Sequence, residues 1–526
     1  MKRVKRYFIN ALLLSAASIL MQSISVSFNV YVSARIGAEG MGLLTLIFTV
    51  TGFSVTVATS GIYLAVVKMI AEAVPYEESA PSNGTTTRRV REIMKAALLY
   101  ASFFGILASV LLFLFSKTLA VHAIGDIRAL PSLRIYAISL PFIAVSSVFS
   151  GYFAGIRRVH KNVFAKLGEQ SIKVSLTSIL LVLLVPSGVG YACVAVVAGG
   201  ALAEAGSLLF YLLLYFYDRK QFFSVSQTVD YVQNRLKPLV SIAFPVALST
   251  YARSALLTVE HLAILWGLRQ YGASASAALA SYGILHGMVF PLLLFPSAVL
   301  SAFSGLLVPE MAECHVRKQE SRIRHITERV IQISLLFSVG VAGIFLCYSH
   351  EIGTVIYGST EAAEHLRVLA PLVPLMYLDG AVDSILKGMG EQLYSMKVNI
   401  TDSLTGILMV VILLPLAGIR GYRIVIFVCE ALNATLSILK LLEVTKLRAN
   451  PIKWIGKPLA SVIVATLLSR FLADSAFFSS CFDNKRAMLF FTITLTSLLY
   501  LGFILVLGGF SREDARWAKG ILKTNE

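Results

Sequence analysis

The chain alternates long apolar runs with short polar connections. One run, AALLYASFFGILASVLLFLF at residues 96–115, holds twenty residues without a charged side chain. A helix rises about 1.5 Å per residue, so a run of this length crosses the roughly 30 Å of hydrocarbon in a bilayer. The runs lack the every-second-residue alternation of membrane-spanning strands. The pattern therefore predicts an all-α polytopic membrane protein.

Apolar windows of about 19 residues indicate fourteen membrane spans. The first follows four basic residues and is about twice as long as the apolar core of a signal peptide, so it is predicted to be a retained anchor. The spans are expected near residues 8–31, 43–67, 96–115, 132–154, 167–185, 190–217, 239–259, 278–307, 330–347, 367–389, 395–416, 424–442, 455–472 and 488–510.

Composition and charge agree with this prediction. Of the 526 residues, 57% are hydrophobic and 14% charged, and the mean hydropathy is +0.77, which excludes a water-soluble domain of this size. With the N-terminus inside, and charges at the ends of spans counted with the adjoining connection, the inner side holds 33 Lys and Arg residues and the outer side 11. This bias predicts that both termini are cytoplasmic. The net charge of +17 then faces anionic lipid headgroups, and nucleic acid is not an expected partner.

The sequence lacks the spacings of known metal sites. The five cysteines include no C-x-x-C and the eight histidines no H-E-x-x-H, so neither a zinc site nor a disulfide framework is predicted. No hydrophilic segment is long enough for a separate catalytic domain. We therefore expect no catalytic residues, no cofactor and no enzyme activity.

The two halves of the chain share three short similarities in the same order. They are ARIGA with LRQYGA, SGIYLAVVKMIAE with SGLLVPEMAE, and FAGIRRVHKNVF with LKGMGEQLYSMKV, at offsets of 233 to 244 residues. Each similarity is weak, but their common order and nearly equal offsets predict two copies of one six-span unit.

Such parallel repeats, with a site at their interface, are an architecture of transporters. A copy with six spans ends on the side where it began, so the two copies have the same orientation and are expected to be pseudo-symmetric. The predicted domains are an N-lobe at 1–220, a C-lobe at 221–450, and two further spans with a cytoplasmic tail at 451–526.

Polar side chains are predicted to line a cleft between the lobes. Contacts between packed helices explain the small ones equally well. A charge inside a membrane costs about 2.5–3.5 kcal/mol and normally faces water or a partner, so Arg253 and Glu260 on span seven are stronger candidates. Glu169 and Lys173, four residues apart in span five, are predicted to neutralise each other. One face of span one carries Ser15, Ser18, Gln22, Ser25 and Asn29.

Spans ten and eleven hold a second polar group. Depth along the helices places Asp383 and Asp402 at matching levels and Glu430 of span twelve too near the outer surface to join them. Hard oxygens of this kind suit a small cation, and Na+ or H+ is the expected coupling ion. The alternative is a structural role, with Asp383 paired to Lys387. The predicted coupling residues are Asp379, Asp383, Asn399, Asp402 and Ser403.

Four longer stretches resemble one family of transporters. YLDGAVDSILKGMGEQLYSMKVNITDS at 377–403 and GYFAGIRRVHKNVFAKLGEQSIKV at 151–174 are similar to regions of the stage V sporulation protein B branch of the MOP flippase superfamily. IGAEGMGL at 36–43 and FPSAVLSAFSGLLVPEMAE at 295–313 resemble two further motifs of that branch. The likeness covers nearly the whole chain in order.

The resemblance implies a two-lobed, fourteen-helix flippase related to the MurJ lipid II flippases. Such a protein would move an undecaprenyl-pyrophosphate-linked saccharide outward by alternating access, in peptidoglycan or polysaccharide biosynthesis or in sporulation. It implies that spans thirteen and fourteen help to form a groove for the lipid tail and that cavity arginines take the pyrophosphate. Arg35 and Arg253, with His286, are the matching positions. Lys173 stands where the family commonly has arginine, and the arginine-rich first span of MurJ proper is absent.

We expect the substrate headgroup to bind between span one and span seven. The expected partners are the lipid-linked saccharide and membrane lipids, and the expected state is a monomer, with association with cell-wall synthesis enzymes left open. A cation-coupled multidrug antiporter of the MATE type is the alternative function. A membrane enzyme fits less well because metal spacing is absent, and a scaffold because it needs no buried charges. The predicted substrate-binding residues are Gln22, Asn29, Arg35, Arg253, Glu260 and His286.

Overall fold

The computed structural model describes residues 2–74, 84–222, 236–447, 452–473 and 484–507. These residues form helices and short turns, and no strand occurs among them. Within them, twelve segments are long and apolar enough to cross a membrane. The prediction of an all-α polytopic membrane protein is confirmed. The predicted cytoplasmic tail lies outside the described residues.

Local sequence sets the ends of several helices. The hydroxyl of Ser359 accepts a hydrogen bond from the backbone N–H of Ala362 and begins α12, and Asn484 caps α16 in the same way, as N-terminal capping residues do. In the described residues the helices are α1 (Lys2–Thr59), α2 (Ile62–Ala73), α3 (Gly84–Thr118), α4 (Leu130–Gly155), α5 (Val159–Leu184), α6 (Val189–Phe222), α7 (Leu236–Gln270), α8 (Ala275–Tyr282), α9 (Phe290–Leu294), α10 (Ser297–Val316), α11 (Glu320–Ile356), α12 (Thr360–Leu369), α13 (Val373–Gly388), α14 (Gln392–Thr445), α15 (Lys457–Ala473) and α16 (Lys485–Val506).

Two glycines with positive φ divide the longest segments into two crossings each. Ala16–Ala73 and Gln392–Thr445 are 58 and 54 residues long, more than twice what one crossing requires. Gly37, at φ 69°, interrupts the first, and Gly418, at φ 57°, interrupts the second. A residue with a side chain would be strained at either position. With two crossings in each of these segments, the described helices account for about fourteen spans.

The chain divides into two compact units. The first unit comprises Met1–Ala34 and Ile284–Glu526, and the second comprises Arg35–Gly283. One boundary between the units lies just before the bend at Gly37, and the other lies inside the predicted eighth span. The two predicted six-span lobes rest on repeats in the sequence and remain a prediction.

In the second unit, α3, α4, α5 and α6 pack side by side, and α8 packs against the part of α1 that follows the bend. This last contact is very close. A Cβ atom on Gly42 would lie 1.9 Å from the carbonyl oxygen of Leu279, and a Cβ atom on Gly283 would lie 2.1 Å from that of Ala38. Glycine at both positions therefore lets two backbones meet without side chains between them.

In the first unit, α10, α11 and α13 share one apolar core, and α15 and α16 pack against α11. Three buried hydroxyl groups join α11, α15 and α16. The hydroxyl oxygen of Tyr348 lies 2.7 Å from Ser469 Oγ and 3.1 Å from Thr496 Oγ1. The two C-terminal spans are therefore held to the first unit by both apolar and polar contacts.

Candidate functional site

The polar face of α1 lines a cavity in the first unit. Gln22 is half-buried, and its carboxamide forms no hydrogen bond with another described residue. The predicted contact residue Gln22 therefore has both a cavity beside it and unused donors and acceptors. The cavity has a volume of about 270 Å³ and is bounded by Ser18, Gln22, Leu294, Ser297, Ala298 and Ser301.

Asn29 follows Gln22 by two helical turns. Its Oδ1 atom is buried and accepts no hydrogen bond from the described residues. Arg35, the third predicted contact of span one, is exposed and begins the second unit. Because Gln22 and Asn29 belong to the first unit, the convergence of these three residues on one substrate stays a prediction.

Arg253 stands at the middle of α7, seventeen residues from either end of Leu236–Gln270. At the rise of a helix this is about 25 Å from each end. The side chain is exposed and forms no hydrogen bond or ion pair with another described residue. A cation at the middle of a membrane-crossing helix is costly unless it meets water or an anion. Arg253 is thus available to an anionic ligand.

Glu260, two turns after Arg253, is half-buried. The adjacent His261 binds through Nδ1 to the hydroxyl group of Tyr282, at 2.6 Å. This hydrogen bond ties α7 to α8 within the second unit. It also fixes the turn of α7 on which Glu260 lies.

His286 lies in a π-helical turn, Gly283–Val289. Its Nε2 atom is 2.8 Å from the hydroxyl oxygen of Tyr422 on α14. Single π-turns inside helices are frequent at functional sites. His286 belongs to the first unit, whereas Arg35 and Arg253 belong to the second, so a joint phosphate contact of these residues stays a prediction.

The predicted coupling residues separate into two groups. Asp383 forms an ion pair with Lys387, with 2.5 Å between Oδ2 and Nζ, as the alternative interpretation expected. Asp379 lies within electrostatic reach of Asp402 and Glu430. The predicted partnership of Asp383 with Asp402 stays a prediction. Asp402 is grouped with Asp379 and Glu430.

The expectation that Glu430 lies too near the outer surface is wrong. The second crossing of α14 begins directly after the bend at Gly418, six residues before the start that hydropathy suggests. Glu430 is therefore twelve residues, or about 18 Å, into its crossing. Asp379 and Asp402 lie within the electrostatic reach of Glu430.

The other predicted coupling residues lie on the same turn of α14 as Asp402. Asn399 donates a hydrogen bond from Nδ2 to the carbonyl oxygen of Ser395, at 2.8 Å, and Ser403 is half-buried. Oδ1 of Asp402 is buried and has no hydrogen-bond partner among the described residues. In that part of the chain, no group of three or more His, Cys, Asp or Glu side chains is arranged to hold a metal ion.

Glu169 and Lys173 of α5 do not pair as predicted. Glu169 accepts a hydrogen bond from the hydroxyl of Ser207 on α6, at 3.0 Å. Lys173 Nζ lies 5.9 Å from the ring centre of Phe48 on α1. A spacing of four residues permits an ion pair, but neighbouring helices offer each side chain another partner. Both charges therefore join helices of the second unit.

A polar network that sequence reasoning missed joins three connections of the second unit. Arg128 Nη2 lies 2.5 Å from Glu39 and 2.7 Å from Asp126, and Glu39 accepts a hydrogen bond from Ser276 at 2.7 Å. These residues are up to 237 positions apart in the chain, so no local pattern links them. The positive-inside assignment puts all of them on the outer side.

Comparison with known proteins identifies the family. Residues 8–315, more than half of the chain, match the family described as polysaccharide biosynthesis protein. The chain belongs to the polysaccharide biosynthesis protein family. A second match, to the MatE family, covers residues 252–412. The predicted membership of the MOP superfamily is confirmed.

A curated relative of this protein is stage V sporulation protein B of Bacillus subtilis (strain 168). The two are 26% identical over 423 residues, which are 79% of this chain and 79% of the relative. The resemblance inferred from four sequence motifs is thereby confirmed over most of the chain.

Two solved structures share the fold of this protein. Lipid II flippase MurJ, in an inward closed conformation, gives a TM-score of 0.68 at 14% identity, over 94% of this chain and 98% of that chain. An inward-facing multidrug resistance MATE family transporter of the MOP superfamily gives 0.64 at 14% identity, over 83% and 100%. The fold is that of the MOP transporters.

Proposed function

We propose that this membrane protein is a flippase for an undecaprenyl-pyrophosphate-linked saccharide, a lipid II-type precursor or a related polysaccharide unit. It moves this substrate from the inner to the outer leaflet by alternating access. Arg253 carries the proposal. An exposed guanidinium without a partner among the described residues, at the middle of a membrane-crossing helix, suits a diphosphate because its N–H groups bind phosphate oxygens in pairs.

Family membership supports the same class of substrate. The family is one of polysaccharide biosynthesis, and the relative with 26% identity is a sporulation protein. The MurJ structure covers 94% of the chain and the MATE structure 83%. Two spans beyond a twelve-span core account for a difference of this size. A lipid flippase therefore explains more of the chain than a twelve-span antiporter does.

In this proposal, different polar residues bind different parts of the headgroup. Arg253 and Arg35 bind the diphosphate. Gln22 and Asn29 face the neutral part of the headgroup, where sugar hydroxyl groups and amide N–H groups supply the donors that the Asn29 oxygen lacks. Glu260 and His286 complete the proposed set of contacts.

The polyprenyl tail needs apolar surface that the membrane can reach. α15 and α16 supply it, with Phe471 76% exposed and Phe490 75% exposed. Because these two helices are fixed to α11 by apolar packing and hydroxyl contacts, the tail in this proposal lies against the first unit. It stays in contact with lipid while the headgroup crosses.

Ion coupling is proposed for the acidic group of the first unit. Asp379, Asp402 and Glu430 repel one another in a low-dielectric environment, and a bound Na+ or H+ relieves that repulsion. Asn399 and Ser403, on the turn of Asp402, add neutral oxygen atoms. A ligand that binds one conformation more tightly shifts the population toward it, so ion binding here would bias the transport cycle.

Alternating access also requires an outer end that opens. The contacts of Glu39 with Arg128 and Ser276 hold the α7–α8 connection to the connections after spans one and three. They are among the contacts that break on opening. The charge bias supports a cell-membrane location with both termini in the cytoplasm, and the proposed working unit is a monomer.

Translocation by purified protein in liposomes tests the proposal. Native protein is expected to move fluorescent lipid II, or another undecaprenyl-pyrophosphate-linked saccharide, across the bilayer. Arg253→Ala should reduce the rate at least about tenfold, since a charged hydrogen bond contributes about 1.5–3 kcal/mol, and Arg253→Lys should retain part of it. Arg367→Ala removes another exposed arginine without a partner among the described residues and should have no effect. A native rate in Arg253→Ala would refute the assignment.

A cation-coupled multidrug antiporter is the second candidate. The MatE match over residues 252–412 and the MATE fold favour it, whereas the exposed cation of Arg253 does not suit a cationic drug. Efflux of cationic dyes that depends on Glu260 or Asp379, without any lipid translocation, would establish this function in place of the flippase.

A further inference from the structure

We propose that the 270 Å³ cavity beside α1 is a subsite for one uncharged sugar ring of the transported lipid-linked saccharide. This inference rests on the proposed flippase function and adds which part of the substrate the cavity takes. All of the lining residues belong to the first unit. The position of the cavity, the chemistry of its lining and the free polar groups carry the inference.

A proline tightens the helix of the eighth span where it lines the cavity. α9 ends at Leu294 and α10 begins at Ser297, but Phe295 and Pro296 between them keep helical backbone angles. Ala298 donates its N–H to the carbonyl oxygen of Phe295, three residues back, and Pro296 has no N–H to donate. In membrane helices, serine side chains and local tightening satisfy the backbone groups that a proline frees.

The cavity lies near the middle of the membrane. Gln22 is fourteen residues into the span predicted at 8–31, and Ser297 is ten residues from the inner end of the span predicted at 278–307. These separations correspond to about 21 Å and about 15 Å from the inner boundary. Substrate sites of transporters built from repeats lie at this level.

The lining is polar but uncharged. Hydroxyl and carboxamide groups both donate and accept hydrogen bonds, as the hydroxyl groups of a sugar do. A phosphate would meet no cation here, and an organic cation would meet no carboxylate. The cavity therefore favours a neutral sugar over the diphosphate and over a cationic drug. Its polar lining is Ser18, Gln22, Ser297 and Ser301, and its apolar lining is Leu294 and Ala298.

Polar groups in the cavity are free to bind a ligand. The Gln22 carboxamide and the Ser301 hydroxyl form no hydrogen bond with another described residue. Ser297 donates to the carbonyl oxygen of Leu294, at 2.6 Å, and keeps its oxygen lone pairs to accept. A sugar ring would satisfy these groups, whereas an apolar occupant would leave them unpaired.

The cavity offers room for one ring. Pockets that bury drug-sized ligands have volumes of about 300–1,000 Å³, and this cavity lies just below that range. Asn29 is two turns farther along the same face of α1, about 10 Å away. The rest of a longer headgroup can therefore extend from the cavity toward Asn29.

Two lipids distinguish binding at the subsite from binding at the rest of the site. One is undecaprenyl pyrophosphate carrying a saccharide, and the other is undecaprenyl pyrophosphate alone. In liposomes with full-length protein, the double variant Gln22→Ala, Ser301→Ala should move the first lipid about tenfold more slowly, for two lost hydrogen bonds, and the second at the native rate. Ser23→Ala is the control, because its hydroxyl bonds to Ile19 at 2.9 Å and lies outside the lining. Equal losses for both lipids would overturn the subsite.

A binding measurement tests the subsite without transport. Ser301→Cys is labelled with a small maleimide, and native protein gives the background. The saccharide-bearing lipid should slow the labelling, and undecaprenyl pyrophosphate alone should not. Equal labelling with the two lipids overturns the subsite even where native protein flips both. Protection by the saccharide lipid in a protein that flips neither supports the subsite and refutes the flippase.

Discussion

Arg269, at the end of α7, donates a hydrogen bond from Nη2 to the carbonyl oxygen of Ile124, 3.0 Å away. The two residues are 145 positions apart and belong to the same unit. The guanidinium also lies against Gly125, where a Cβ atom would be 1.9 Å from Nη1. A charged side chain thus fixes the α7–α8 connection to the turn that follows α3.

Replacing Arg269 by Ala should lower the free energy of unfolding by about 1.5–3 kcal/mol, the range for hydrogen bonds of charged groups. Arg269→Lys keeps the charge but loses the planar fork, so it should recover only part of this. Denaturation of the purified protein in detergent measures both. The control Arg367→Ala should change the value by no more than about 0.5 kcal/mol. An equal decrease in the free energy of unfolding in Arg269→Ala and Arg367→Ala would contradict a stabilising role of the Arg269 contact.

The close approach of α8 to α1 makes Gly42 intolerant of a side chain. Gly42→Ala should destabilise the protein by about 1–3 kcal/mol, as overpacking does, because its Cβ would lie 1.9 Å from the Leu279 carbonyl oxygen. Gly52, also on α1, has no atom within 4 Å of its Cβ position. Gly52→Ala should therefore be neutral or stabilise by up to about 1 kcal/mol. Thermal unfolding in detergent compares them, and a similar loss in both would count against the close packing.

The grouping of the carboxylates predicts which of them controls ion dependence. Asp402→Asn and Glu430→Gln should change how the translocation rate depends on Na+ and pH, because both residues lie within reach of Asp379. Asp383→Asn should leave that dependence unchanged, since its carboxylate is paired with Lys387. Initial rates in liposomes at varied Na+ and pH measure this. Native behaviour in the first two variants would remove the coupling role.

The hydroxyl contacts of α15 and α16 with α11 should be energetically coupled. A double-mutant cycle with Tyr348→Phe and Thr496→Val is expected to give about 0.6 kcal/mol, the average for side-chain hydrogen bonds in a membrane protein. The hydroxyl of Ser497 bonds to Ile493 of its own helix, at 2.8 Å. A cycle of Tyr348→Phe with Ser497→Ala should therefore show no coupling energy. A coupling energy as large as that measured with Thr496→Val would indicate a general loss of packing instead.

The membrane spans were readable from the sequence because bilayer thickness imposes a minimum length on apolar runs. The depth of Glu430 in the membrane was not readable from the sequence, because hydropathy placed the start of its span six residues after the bend at Gly418. The partners of Glu169 and Lys173 depended on neighbouring helices and not on their spacing. The contact of Arg269 with Ile124 had no local signal at all. Long-range packing decided each of these contacts, and a single sequence does not record it.

At Gly418 the chain turns back into the membrane and leaves helical geometry for one residue. Proteases and antibodies act on flexible, exposed segments, and the turn at Gly418 is too short to provide one. An inserted epitope would have to unwind two crossings at once. In the proposed orientation, with both termini in the cytoplasm, this turn faces the outside, and protease treatment of intact cells should leave it uncut while longer outer connections are cleaved.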